Sequence, residues 1–192
     1  MTIAQNVLSV ASNWTDEGGT THVVGTGYIY SGHNDNDPAN AIEADANDAN
    51  GYTGTGNSSP SNQRRTLTLT NGEVIWDMAG NAWEWTQGII AGSQQPGLLG
   101  DTGYSWRQWN DVSLLQNGFP SSSMPGSIGL TGITWNSSSG VGQLYVNYGE
   151  TETHAFFRGG RWGTGSSAGV LTLDLHYSSS IISSTFGLRV AR

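Results

Sequence analysis

Cysteine is absent from all 192 residues, and so is lysine: the seven basic residues are all arginines. The missing thiol excludes disulfides, thiolate nucleophiles, zinc–thiolate sites and iron–sulfur clusters together. It leaves the compartment open, because extracellular proteins also fold without disulfides. The missing lysine and a formal net charge of −8 exclude the basic stripe on which nucleic-acid binding rests. Arg64-Arg65 is the only basic pair, so no nucleic-acid partner is expected. Charge of either sign is scarce, at 11%. No apolar run approaches the length of a membrane-spanning helix, and no signal-peptide pattern is visible. Display outside a cell would therefore use another export route or a larger assembly.

Glycine, at 28 residues, and tryptophan, at eight, are abundant. Glycine among many Ser, Thr and Asn predicts frequent turns and much irregular backbone. A hydrophobic share of 35% supplies a core, and Trp, Leu, Ile and Val scattered through the polar stretches argue against disorder. The length suits a single domain over residues 1–192, without repeats of solenoid period.

Thr2 to Ser12 predicts a short helix with Ile3, Val7, Leu8 and Val10 apolar. It starts without an N-cap, so the native chain is expected to continue upstream. Gly18 to Pro60 reads as a long loop carrying Asp35, Asp37, Glu43, Asp45 and Asp48, anchored by Tyr28, Ile29, Tyr30, Ile42 and Tyr52. From Asp45 the loop superficially resembles a calcium loop, but the twelfth position, where an EF-hand needs glutamate, is Gly56. A solvated acidic loop is expected there. Arg65 to Thr70 alternates leucine with threonine, which predicts a strand, and Asn71-Gly72 a hairpin turn. Gln87 to Gly140 is loop-rich, punctuated by Trp106, Trp109, Phe119 and Trp135. Further strands are expected at Gln143–Tyr148, Ala155–Trp162, Gly169–Tyr177 and Phe186–Ala191. In the third of these, Leu171, Leu173 and Leu175 share one face, with Val170, Thr172, Asp174 and His176 on the other.

Three segments carry a resemblance. Asp77-Met78-Ala79-Gly80-Asn81-Ala82-Trp83-Glu84-Trp85-Thr86, Arg158-Gly159-Gly160-Arg161-Trp162 and Phe186-Gly187-Leu188-Arg189-Val190-Ala191-Arg192 follow one another in order. They resemble the Gly-Asn-Val-Trp-Glu-Trp signature, the Arg-Gly-Gly-Ser-Trp motif and the Gly-Phe-Arg-Val-Ala-Arg ending of the formylglycine-generating, sulfatase-modifying superfamily. The resemblance covers the C-terminal two-thirds and implies an α+β, C-type-lectin-like fold with short twisted sheets and long irregular loops. It also implies a structural calcium, held by the side chains of Asp77 and Glu84 and the carbonyls of Gly80 and Ala82; hard oxygen ligands suit that ion. The other reading makes the motif scaffold, with Trp83 and Trp85 packed in the core and Arg189 paired with an acid such as Glu84.

The enzymes resembled use a cysteine pair with copper, which this chain cannot supply. The related sulfoxide synthases take their iron ligands largely from another domain. Only His22, His33, His154 and His176 are present, with no His-Glu-x-x-His spacing, nucleophile elbow or Walker sequence. A glycosidase-type carboxylate pair stays open, because geometry rather than spacing defines it. The sugar-binding triplets of calcium-dependent lectins are also missing. The expectation is a binding protein, not an enzyme; the alternative is a formylglycine-generating or sulfoxide-synthase-like enzyme with lost or altered catalytic residues.

Residues 158–192 also resemble the variable region of C-type-lectin-fold proteins diversified by retroelements. In that group the template commonly reads Asn-Asn-Gly-Ser-Asn-Ala-Gly-Val, then Leu-Asn-Leu-Asn-Asn. Here stand Gly163-Thr164-Gly165-Ser166-Ser167-Ala168-Gly169-Val170 and Leu173-Asp174-Leu175-His176-Tyr177. Such retroelements mutate adenines, and an AAC codon then yields Gly, Thr, Ser, Asp, His, Tyr, Ile or Arg, but not Lys, Glu, Gln, Met or Trp. Arg161, Gly163, Thr164, Ser167, Asp174, His176, Tyr177, Ile181, Ser183 and Thr185 are all reachable, and none of the five unreachable types occurs from 163 to 185. The resemblance implies a surface that binds a protein or other macromolecule on a host or neighbouring cell, displayed on a virion or cell surface. A monomer is the default expectation.

Overall fold

A computed structural model describes residues 3–16, 22–30, 33–34, 42–55, 63–98, 100–109 and 139–188. Among these the architecture is α+β, with short strands, one short helix and long irregular connections. Helix α1 (Ile3–Leu8) is followed by a 3₁₀ turn at Ala11–Asn13, which ends the expected helix early. Strands β1 (Trp14–Thr15), β2 (Tyr28–Ile29), β3 (His33–Asn34), β4 (Thr66–Thr68), β5 (Val74–Trp76), β6 (Ala79–Gly80) and β7 (Trp83–Ile90) follow. Then come β8 (Ser105–Arg107), β9 (Leu144–Val146), β10 (His154–Arg158), β11 (Leu173–Asp174) and β12 (Phe186–Gly187).

Six strands form the main sheet in the order β12-β7-β10-β11-β9-β8. β10 runs antiparallel to β7 and β11, whereas β11–β9 and β12–β7 are parallel. Three two-stranded ribbons flank it, among them the β4–β5 hairpin, which turns at Asn71-Gly72 with Gly72 at φ 86°. The expected strand at Gly169–Tyr177 shrinks to β11. Around it the chain hydrogen-bonds irregularly instead: the Leu171 N–H donates to the Val141 carbonyl and that of Leu175 to the Tyr145 carbonyl.

The sheet has two different faces. One packs on the main core, where Leu144, Val146, Leu173 and Phe156 meet Trp14, Ile29 and Leu67. The other carries an aromatic layer in which Trp83 and Phe157 are buried against Trp85, Trp106, Tyr177 and Phe186. Trp83 and Trp85 do share a face, as period-two geometry requires. Trp85 lies 4.3 Å from Phe157 between ring centroids, and Phe157 lies 4.7 Å from Phe186.

The Arg-Gly-Gly motif has a backbone reason. Gly159 and Gly160 sit at φ 85° and 93°, where side chains are disfavoured. A Cβ on Gly159 would stand 2.7 Å from the Met78 carbonyl oxygen. Gly159→Ala is therefore expected to cost about 1–3 kcal/mol from backbone strain and overpacking, read as a lower urea midpoint at unchanged slope.

Candidate functional site

The aromatic side of the sheet carries a continuous strip built from the C-terminal segment and from β8 and β9. Leu144 and Val146 turn to the main core, so Gln143 and Tyr145 are left for the other side. At one end the Ser167 hydroxyl donates to Gln143 Oε1 at 2.6 Å. Two residues on, Tyr145 stands 5.8 Å from His176 and 4.9 Å from Trp106. His176 also contacts Tyr104 at 4.5 Å and Tyr177 at 4.7 Å, and Tyr177 reaches Phe186 at 5.0 Å. Thr164 closes the loop next to Arg161: its hydroxyl accepts the Arg161 N–H at 2.9 Å. Ser183 and Thr185 hydroxyls are 2.9 Å apart.

Of the ten variable-position candidates, Gly163, His176 and Ser183 are exposed, and Arg161, Thr164, Ser167, Tyr177, Ile181 and Thr185 are half-buried. Asp174 corrects the outward placement expected for it: it is only 3% exposed. It does face away from Leu173, but that side of β11 is roofed rather than open. Asp174 lies across from Phe157 and Tyr145 in the ladder, within the aromatic layer. Its Oδ1 accepts the His176 N–H at 2.7 Å. Burial pushes the Asp174 carboxyl up to about 7 in spite of that bond, while burial chiefly, and then neighbouring His154, holds the His176 imidazole below its ordinary value.

A polar cluster anchors this strip from beneath. The Leu175 carbonyl accepts from Gln95 Nε2 at 2.8 Å and from the Tyr104 hydroxyl at 3.2 Å. The same hydroxyl lies 3.0 Å from Glu150 Oε2 and 3.3 Å from His154 Nε2. The N–H groups of Glu152 and Thr151 hold the Glu150 carboxyl down to about 2, whereas burial raises the Tyr104 phenol above its ordinary range. Gln95, which is fully buried, also accepts the Asn147 N–H. The loop after β11 is thus tied to rigid elements at its carbonyl, leaving its side chains available.

Sequence reasoning missed several members of the strip. Gln143 and Tyr145 were implied by the alternation of Leu144 and Val146. Tyr104 and Trp106 carried no local signal, because they reach the strip only through the β8–β9 pairing. Ile182 is 94% exposed, while Ile181 packs against the aromatic layer; two adjacent isoleucines in an irregular loop cannot be assigned by periodicity.

The residues expected to hold calcium gather in part. Asp77, Ala82 and Glu84 line a cavity of about 230 Å³ together with Trp76, Asn81 and Leu188; Gly80 is not on its wall. Asp77 and Asn81 adopt φ 49° and 54°, so the signature begins on a strained turn. Both Asp77 carboxylate oxygens are engaged by Arg65, Oδ1 by Nε and Oδ2 by Nη2, each at 2.7 Å. Of the four, Asp77 is thus already paired with a guanidinium, and Gly80 stands off the cavity wall. Among the described residues, no cluster of three or more His, Cys, Asp or Glu side chains suited to a metal occurs. Arg189, expected near Glu84, lies outside the described residues, as do Phe119 and Trp135. No helix among the described residues is long and apolar enough to cross a membrane.

No family model matches the chain, and comparison with curated proteins finds no match either.

Proposed function

We propose that this chain is a ligand-binding display protein rather than an enzyme. In this reading a C-type-lectin-like scaffold of the formylglycine-generating-enzyme type carries a face diversified by a retroelement. One observation carries it. Of the ten residues reachable from asparagine codons, all but Asp174 reach the surface, whereas the intervening Leu173 and Leu175 are fully buried. Substitution at the first set changes a surface; substitution at the second removes core. That separation lets a binding face vary without unfolding its support.

The chemistry of the strip suits macromolecular recognition. Tyr, Trp and His offer large contact areas with few rotatable bonds, and Ser, Thr and Gly add adaptable neighbours. Anchoring of the Leu175 carbonyl reduces the ordering left to be done on binding. The ligand in this reading is a protein or other macromolecule on a host or neighbouring cell, met from a virion or cell surface.

The test is genetic and structural. The adjacent DNA should hold a reverse transcriptase and an imperfect copy of codons 158–192 differing at adenines; a matching copy with differences spread over all four bases would refute diversification. In a displayed library, randomising Gly163, His176, Ile182 and Ser183 is expected to leave folding within about 0.5 kcal/mol for most members. Leu173→Ala in the same format should lose about 2–5 kcal/mol. Equal tolerance at both sets would sink the reading.

A further inference from the structure

We infer that Arg65 is the resident structural cation of the Asp77–Glu84 segment, and that this chain holds the segment together without a divalent metal. This goes beyond the binding face and does not depend on it. The guanidinium is 1% exposed and Asp77 8%. It meets the carboxylate side-on, with paired N–H groups at 2.7 Å, the geometry in which arginine matches a carboxylate best.

Its remaining donors gather backbone from a distant part of the chain. Nη2 donates to the Ile42 carbonyl at 2.7 Å, and Nη1 and Nη2 both reach the Glu43 carbonyl at 3.2 Å. The ring of Trp76 lies 5.3 Å from its central carbon, where a cation is favoured over an aromatic face. The backbone repeats the arrangement: Arg65 N–H donates to the Gly51 carbonyl, and Asp77 N–H to the Arg65 carbonyl, each at 2.8 Å. Asn81 closes the circle, its Oδ1 accepting the Ile42 N–H at 3.1 Å. One positive centre thus collects a carboxylate and two carbonyls from two other stretches of chain. A structural cation performs that same task, and a second positive charge at Asp77 would face repulsion from the guanidinium.

The experiment is thermal unfolding of the purified chain in excess EDTA and in millimolar CaCl₂, with calorimetric titration of CaCl₂ into metal-stripped protein. The expected result is a Tm that differs by less than about 1 °C between the two conditions, with no saturable heat. Arg65→Lys keeps the charge but loses the fork, and is expected to lower Tm by about 4–8 °C in either condition. A fall of several degrees in EDTA, or stoichiometric calcium binding, would overturn the inference. So would an Arg65→Lys variant as stable as the parent.

Discussion

Asp174→Asn is expected to stabilise the protein at alkaline pH and to leave it nearly unchanged in acid. The Asp174 carboxyl titrates at about 7 in the fold against 3.8 as a free group. A raised acid pKa means that the folded state holds the proton more tightly than the unfolded chain does. The resulting stability is present in full below about pH 4 and is lost as pH rises to about 7. Asparagine resembles the neutral acid at every pH, so the gap between variant and parent opens across that window and is flat above it. At roughly 1.4 kcal/mol per pKa unit the ceiling is about 4 kcal/mol. Relaxation and water penetration around a buried charge lower the penalty below that ceiling, so a gap of about 1–3 kcal/mol is the expected outcome. Urea unfolding of both proteins at pH 4, 5.5 and 8 measures it directly. Equal stabilities at pH 8 would mean that the carboxylate is solvated after all.

This result bears on function, because asparagine is the residue that the suggested template holds at this place. An aspartate there would be a costly product of diversification: it is written into a buried site, not onto the contact surface. Selection for binding would then have to act through its effect on His176 and Tyr177 above it.

The second large effect is expected at Arg65. Arg65→Met should destabilise by about 3–5 kcal/mol, because it leaves the buried carboxylate of Asp77 without its guanidinium. Removing both charges is a different experiment. Arg65→Met with Asp77→Leu takes away the desolvation cost along with the attraction, and should recover a large part of that loss. A double-mutant cycle in urea isolates the coupling. A near-additive pair would show that the two side chains act separately.

Local pattern made part of this molecule legible. The leucine–threonine alternation before Asn71-Gly72 produced the β4–β5 hairpin, shortened to Thr66–Thr68. Trp83 and Trp85 did fall on one side of an extended segment. Leu171, Leu173 and Leu175 are buried as their spacing implied. Yet strict alternation failed: Val170, Thr172 and Asp174, expected opposite the leucines, are buried too. A Cβ on Gly169 would stand 2.4 Å from the Gly142 nitrogen and from the Val141 carbonyl carbon, so only glycine lets the two segments pack this closely. Such a close approach leaves no solvent side for its neighbours.

The excluded chemistries and the shared face of Leu171, Leu173 and Leu175 were legible in residue order alone. These are properties of residue type and of near neighbours along the chain. That Asp174 is buried, that Arg65 meets Asp77 and that Tyr104 and Tyr145 lie beside His176 follows from the fold. Each depends on which strands pair and on what covers a sheet face. Those are outcomes of long-range packing, and a period of two along one strand cannot report what lies above it.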